Sequence, residues 1–291
     1  MTRTIVLIAC LCGFALAPRP AAAAPERLVS AGGVVTEILD ALGVEDRIVG
    51  VDTTSLHPPQ ALEDHPDVGY VRSLSAEGVL SLGPDRVIAV DATGPPDALA
   101  LIRQAYVPVE IVGEEPSEAG VLDRIRAIGA LVGEEARAEA LAREVAAGFA
   151  DLAAARDRID APVRVLFVLS LQNGRAMVGG AGTSADAIIR LAGGVNAAAV
   201  IEGYKPVTDE AIIAAAPDVV LSISRGDHAL SAEDVFSLPA FALTPATDDE
   251  RLVSMDGLAL LGFGPRTPTT AHELMRALYP ETGETRAEAA R

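Results

Sequence analysis

Two similar α/β (Rossmann-like) lobes, joined by a single long helix and holding a ligand cleft between them, are predicted from three features of this 291-residue chain. Short apolar runs alternate with helical segments from about residue 27 onward, the mark of layered α/β structure. A segment of the first half returns in the second. Gly69-Tyr70-Val71-Arg72-Ser73-Leu74-Ser75-Ala76-Glu77 shares with Gly203-Tyr204-Lys205-Pro206-Val207-Thr208-Asp209-Glu210 the order glycine, tyrosine, basic residue, hydroxyl residue, glutamate. Seven residues after each glutamate stands a Pro-Asp pair, Pro84-Asp85 and Pro217-Asp218, followed by an apolar run. Between the halves, residues 134–159 are rich in Ala, Glu, Arg and Leu and contain no proline.

The first lobe, residues 24–133, reads as a strand over 27–31, a helix over 34–42 and a strand over 47–52. Residues 56–74 carry prolines and glycines without a period and read as a loop. A short helix over 75–82 has Ser75 at its N-cap, followed by a strand at 86–90, a helix at 96–105, a strand at 109–112 and a helix at 117–131 ended near Gly133. The tract 134–159 forms the linking helix, roughly 35–40 Å long at 1.5 Å per residue; the plainer alternative is two ordinary helices within one domain. The second lobe, residues 160–291, reads as strands at 163–169 and 176–178, a helix at 183–192 stopped by Gly193-Gly194, and a helix at 208–215. A strand at 219–223, a helix at 232–238, a strand at 252–255 and a final helix at 269–278 complete it.

Residues 1–23 read as a signal peptide, which directs the chain to the periplasm. Arg3 gives a positive start, residues 5–17 are apolar but short for a membrane span, and Ala21-Ala22-Ala23-Ala24 offers cleavage after Ala22 or Ala23. Leu7-Ile8-Ala9-Cys10 is similar to a lipoprotein box, yet almost no hydrophobic segment precedes it. Both cysteines, Cys10 and Cys12, fall inside this leader, which leaves the mature chain without disulfides or thiolate metal sites. Half of the residues are hydrophobic but only 3% are aromatic and none is Trp, so the core is aliphatic. The net charge of −18 becomes −20 once Arg3 and Arg19 are removed, a field that disfavours nucleic acid. An anionic ligand must then be held by local cations, and among the 23 basic residues Lys205 is the sole lysine.

Enzyme signatures are scarce: no G-x-S-x-G, H-E-x-x-H or P-loop lysine motif occurs. Gly179-Gly180-Ala181-Gly182-Thr183-Ser184 resembles a phosphate-binding turn ahead of a helix, or is simply a strand-to-helix turn. His57, His65, His228 and His272 show no spacing that asks for a metal. Tyr70 stands in a segment too polar to be core. Read as extended chain, the segment puts Arg72 on the same side as the phenol, where a guanidinium favours phenolate, a hard donor for ferric haem.

The run Asp67-Val68-Gly69-Tyr70-Val71-Arg72-Ser73-Leu74-Ser75-Ala76-Glu77-Gly78 resembles the signature of periplasmic haem-binding proteins of bacterial haem ABC importers. Thr53-Thr54-Ser55-Leu56, Ala192-Gly193-Gly194-Val195-Asn196, Gly203-Tyr204-Lys205-Pro206 and the run from Met255 through Gly262-Phe263-Gly264-Pro265-Arg266 extend the likeness over essentially all of the mature chain. The resemblance implies a monomeric substrate-binding protein, not an enzyme, that carries haem in iron acquisition. It implies Tyr70 as the axial iron ligand, Arg72 as the neighbour stabilising its phenolate, and Arg225 near the haem, meeting either a propionate or the ligand tyrosine. Some relatives add a histidine from the second lobe; residues 179–183 hold none, and His228 is the nearest substitute. Glu77 and Glu210 match the acids that dock onto arginines of the membrane permease, or simply favour their helix dipoles. Pseudo-symmetry adds Tyr204, expected to line the cleft opposite Tyr70. The alternatives are a ferric-siderophore or cobalamin binder on the same scaffold, and an α/β enzyme clamping an anionic substrate with Arg72 and Arg225.

Overall fold

Two sheets with the same parallel strand order frame the protein, whose computed structural model describes residues 26–172, 174–225 and 228–280. The leader read over 1–23 lies outside the described residues. The first lobe runs β1 (Leu28–Ala31), α1 (Gly33–Ala41), β2 (Ile48–Val51), the single turn α2 (Ala61–Asp64), the hairpin β3 (Gly69–Tyr70) and β4 (Ser73–Leu74), and α3 (Ala76–Ser81). It continues through β5 (Arg86–Val90), α4 (Pro96–Gln104), β6 (Val109–Val112) and α5 (Glu118–Val132). Strands β2-β1-β5-β6 form an all-parallel sheet. Polar caps start these helices where the sequence offers a hydroxyl: Ser75 accepts the Gly78 N–H and Ser117 the Gly120 N–H, both at 3.0 Å. The segment 56–74, expected to be loop, contains α2 and the hairpin instead.

The linking helix is α6 (Glu135–Arg156), 22 residues and about 33 Å long. It buries Ala138, Ala142, Val145, Phe149 and Leu152, a stripe at spacings of three and four. The second lobe runs β7 (Arg164–Gln172), β8 (Arg175–Gly179), α7 (Ser184–Leu191), β9 (Val195–Asn196), β10 (Tyr204–Pro206), α8 (Asp209–Ala215) and β11 (Val219–Arg225). Then follow β12 (His228–Ala229), α9 (Ala232–Phe236), β13 (Leu252–Asp256), α10 (Gly257–Leu261) and α11 (Thr267–Leu278). Its parallel core β9-β7-β11-β13 repeats the order of the first sheet. One insertion breaks the match. β7 runs on past its parallel partners and folds back as antiparallel β8, against which β10 pairs in turn.

The lobes are fused as well as linked. One buried apolar cluster holds Val35 and Ile38 of α1, Ile125 and Ile128 of α5, Phe149 and Leu152 of α6, and Val165, Leu260 and Leu274 of the second lobe. Glu37 of α1, 4% exposed, accepts from Arg266 Nη2 at 2.8 Å and from the Arg266 backbone N–H at 3.3 Å. Buried Arg124 of α5 donates Nε to Gly113 O at 2.6 Å, and Nη1 to Gly262 O at 3.1 Å and Phe263 O at 3.0 Å. Burial lowers its pKa, while Glu114 and then Asp91 oppose the shift. Gly264 packs tightly at this seam: a Cβ there would stand 3.0 Å from Val34 Cγ2 and 3.1 Å from Glu37 Oε1, so these side chains would have to shift slightly.

Glu37→Ala leaves the Arg266 guanidinium in the seam without its carboxylate. Because Arg266 is partly exposed, we expect a loss near the lower end for a broken buried pair, about 2–3 kcal/mol, read from urea unfolding. Arg266→Ala in the same background adds less than it does alone. Wild-type stability in Glu37→Ala would remove the clasp from the account of the fold.

Candidate ligand-binding site

Open parallel sheets gather their functional loops at the carboxyl ends of the strands, where the chain reverses its strand order. In the first lobe that point lies between β1 and β5. The loop after β2 is fixed there by a buried carboxylate. Asp52 Oδ1 accepts from Gly32 N at 2.7 Å and from the Ser55 hydroxyl at 3.2 Å; its Oδ2 accepts from Thr54 N at 2.9 Å and Thr54 Oγ1 at 2.7 Å. Hydroxyls continue the network inward, Ser55 to Thr36 and Thr36 to Ser30, each at 2.7 Å. Sequence reasoning missed Asp52. The signal was an Asp followed at once by two threonines and a serine, the composition of an Asx turn.

On this platform sits the hairpin that bears Tyr70. Thr53 N–H donates to Gly69 O at 3.1 Å, Val68 N–H to Val51 O at 2.9 Å, and Ser75 N–H to Val68 O at 3.1 Å. Asp67 Oδ1 accepts from Gly69 N at 2.7 Å. Gly69 has φ +100°, and a Cβ would lie 3.2 Å from Ser73 O. Val71 and Arg72 form the two-residue turn, and neither has the positive φ of the primed hairpin turns. Gly94, in the loop after β5, closes the turn from outside: its N–H donates to Val71 O at 2.9 Å and its carbonyl accepts from Leu74 N at 2.7 Å. Val68, Val71 and Leu74 point into the core, and Tyr70 stands 41% exposed.

The reading of residues 70–72 as extended chain is therefore corrected. Arg72 is a turn corner, and the two-residue alternation that placed it beside the phenol does not apply. Arg72 is exposed, with no hydrogen bond or ion pair from its side chain to the described residues.

The second lobe presents its repeat differently. Gly203 O accepts from Gly180 N at 2.9 Å, as Gly69 O does from Thr53 N. Tyr204, however, opens an edge strand pinned to the inserted β8. Its ring meets Phe167 edge-on at 6.3 Å, its hydroxyl lies 3.2 Å from that of Ser184, and it is 38% exposed. Lys205 pairs with Val178 and, by strand alternation, lies on the opposite face from Tyr204. The tyrosine and the basic residue of this repeat thus face opposite sides of the strand.

The glycine-rich turn is not an anion nest. Gly180 N donates to Gly203 O, Ala181 N to Ile201 O at 2.6 Å, and Gly182 N to Asp186 Oδ2 at 3.3 Å. Arg225 and His228 are cross-strand neighbours where β11 turns into β12, at the carboxyl edge of the sheet; their side chains lie outside the described residues.

Glu77 and Glu210 are exposed in the first turns of α3 and α8, behind the caps Ser75 and Thr208. Glu210's own backbone N–H and then the Thr208 hydroxyl hold its carboxyl below the usual carboxylate range, so it stays charged into mild acid. No group of three or more potential metal ligands comes together among the described residues. His65 instead borders a cavity of about 240 Å3 with Asp40, Glu45 and Asp64, which neither Tyr70 nor Tyr204 lines. Burial and then Glu45 raise the Asp40 pKa there, against His57.

Gly69→Ala forces a side chain into the left-handed region against Ser73 O. We expect a loss of about 1–2 kcal/mol and faster hydrogen exchange at the Leu74 and Ser75 amides. Unchanged exchange at those two amides would show that Gly69 does not hold the hairpin.

Known proteins place this geometry in a family. Periplasmic haem-binding protein RhuT from Roseiflexus sp. RS-1, in its apo form, is 40% identical, with a TM-score of 0.84 over 88% of this chain and 98% of its own. The ABC transporter substrate-binding lipoprotein YvrC of Bacillus subtilis is 26% identical over 261 residues, 89% of this chain and 81% of that protein. A vitamin B12-binding protein of Vibrio cholerae is 42% identical over 79 residues, 27% of this chain and 28% of its own. The periplasmic binding protein family model matches residues 28–258, and this chain belongs to that family.

Proposed function

We propose that this protein captures haem in the periplasm, between its lobes, and delivers it to the permease of an inner-membrane ABC importer. The observation that carries the reading is the 40% identity to a haem-binding protein along 88% of the chain. The likeness to the vitamin B12-binding protein is as high but spans 79 residues. Membership in a binding-protein family agrees with a carrier rather than an enzyme.

In this reading Tyr70 supplies a phenolate oxygen to ferric iron. The hairpin suits the task. Its apolar residues anchor it, Gly94 closes it, and the half-exposed ring is left facing outward. The adjacent Arg72 stabilises the phenolate once its proton leaves. Arg225, at the carboxyl edge of the second sheet, meets a propionate or the ligand oxygen. Tyr204 lines the cleft from the other lobe, with its Ser184 contact fixing the ring, and His228 stands in reserve as a second iron ligand.

Ferric haem titrated into the purified protein is expected to give a saturable visible spectrum with a tyrosinate-to-iron charge-transfer band, lost in Tyr70→Phe. Saturable binding that persists in the variant moves the ligand, to Tyr204 where the tyrosinate band stays and to His228 where it is lost, which the corresponding Phe and Ala substitutions then check. Loss of the band in Arg72→Ala or Arg225→Ala, with Tyr70 intact, identifies the supporting cation. Absence of saturable binding overturns the haem reading in favour of cobalamin or a ferric siderophore.

Docking through Glu77 and Glu210 rests on their equivalent first-turn places in the two lobes. Reversing both, Glu77→Arg with Glu210→Arg, is expected to leave the haem spectrum intact and abolish transport by the reconstituted importer. Full transport by the doubly reversed protein would rule those two acids out as the docking contacts.

A further inference from the structure

The second lobe contains a cavity that the proposed haem site does not use. It encloses about 420 Å3 and is bordered by Arg156, Ile159, Pro162, Asp186, Arg190 and Val195. It lies at the amino end of β7, where Val195 N–H donates to Val163 O at 2.8 Å and Arg164 pairs with Val195. Arg225 ends β11 at the other edge of the same sheet, so the cavity and the candidate haem site lie at opposite edges of the lobe.

The charges around this cavity are not balanced. Asp186 is 2% exposed and fully engaged: its Oδ1 accepts from Asn196 Nδ2 at 3.1 Å, and its Oδ2 accepts from Gly182 N and from the Arg190 guanidinium. One cation is thereby neutralised. The Arg156 guanidinium has no hydrogen-bond partner among the described residues and leaves a net positive charge at the mouth. Asp157 and Asp160 stand on the neighbouring segment but do not border the cavity. Ile159, Pro162 and Val195 supply apolar wall, and the volume falls within the ordinary range for a small-molecule site.

We propose that this cavity binds a small apolar monocarboxylate, its head on Arg156 and the outer N–H groups of Arg190, its body against Ile159, Pro162 and Val195. A planar guanidinium matches a carboxylate through two parallel hydrogen bonds. An uncharged body of the same shape lacks that pair. A cation meets two arginines, and a multiply charged anion meets the −18 field of the whole chain without enough local compensation.

Calorimetric titration of the purified protein with octanoate, octan-1-ol and octylammonium tests the assignment. Octanoate is expected to bind saturably at one site, with the alcohol and the ammonium at least about tenfold weaker. Arg156→Gln is expected to weaken octanoate about tenfold. Val195→Trp fills the cavity, should abolish binding, and gives an independent reading should Arg156→Gln fail to fold. Both variants should keep the haem titration of the parent, which separates this site from the cleft. Equal binding of octanoate and octanol, parent-like affinity in both variants, or no saturable uptake of octanoate overturns the proposal.

Discussion

The arrangement of the two lobes depends on a polar seam buried between them. A carboxylate as enclosed as Glu37 is tolerated in a protein interior when a cation and further donors satisfy it. Arg266 provides both, and it belongs to the other lobe. Arg124 makes the reverse contact, reaching from the first lobe to two carbonyls of the second. Both contacts lie in a seam beside a continuous apolar cluster that the two lobes share. The linking helix is therefore one strut among several.

Within that frame the pseudo-symmetry is faithful in the sheets and relaxed at the tyrosines. Both lobes use the strand order 2-1-3-4, both follow the repeated tyrosine with a hydroxyl N-cap and a first-turn glutamate, and both bind the carbonyl of the preceding glycine to a neighbouring loop. The inserted β7–β8 hairpin changes what the second tyrosine can do. It adds a strand for β10 to pair with, which draws Tyr204 onto Phe167 and Ser184. Tyr70 has no such added strand and keeps its ring on a two-stranded hairpin held from the adjoining loops. One motif in two contexts thus yields a tyrosine whose hydroxyl has no hydrogen bond among the described residues and another bound to its own lobe.

Much of this was legible in the chain because the signals are local. Ser75 was legible as a hydroxyl cap, and the helix starts read at Ser117, Thr183 and Thr208 coincide with hydroxyl caps that the structure contains. The strands at 86–90 and 219–223 were set off by the repeated Pro-Asp pairs. What was missed shares a different cause. The β3–β4 hairpin has two residues per strand, too few for any period, and only Gly94, twenty residues beyond β4, closes it. Glu37 announces no partner locally, since its arginine lies 229 residues away; Asp52 has local partners in Thr54 and Ser55, but the backbone N–H it also holds is twenty residues earlier. The short helix α10 was hidden inside a glycine-rich motif whose apolar content explains its burial but not its turn.

The electrostatics follow from the same division between local and global. An overall charge of −18 repels an anionic ligand at long range, so attraction has to be generated within a Debye length, about 8 Å at physiological salt. The arginines spent on structure contribute little to this. Arg47 and Arg86 share Glu26, Arg126 pairs with Glu139, and Arg124 and Arg266 are committed to the seam. Arg72 and Arg156 have no acid partner among the described residues, and they sit in two separate places: a hairpin turn at one sheet's carboxyl edge and a cavity at the other sheet's amino edge. On a strongly acidic protein an unpaired guanidinium is a local exception to the field. Its pairing energy is then available to a ligand because no internal carboxylate has taken it.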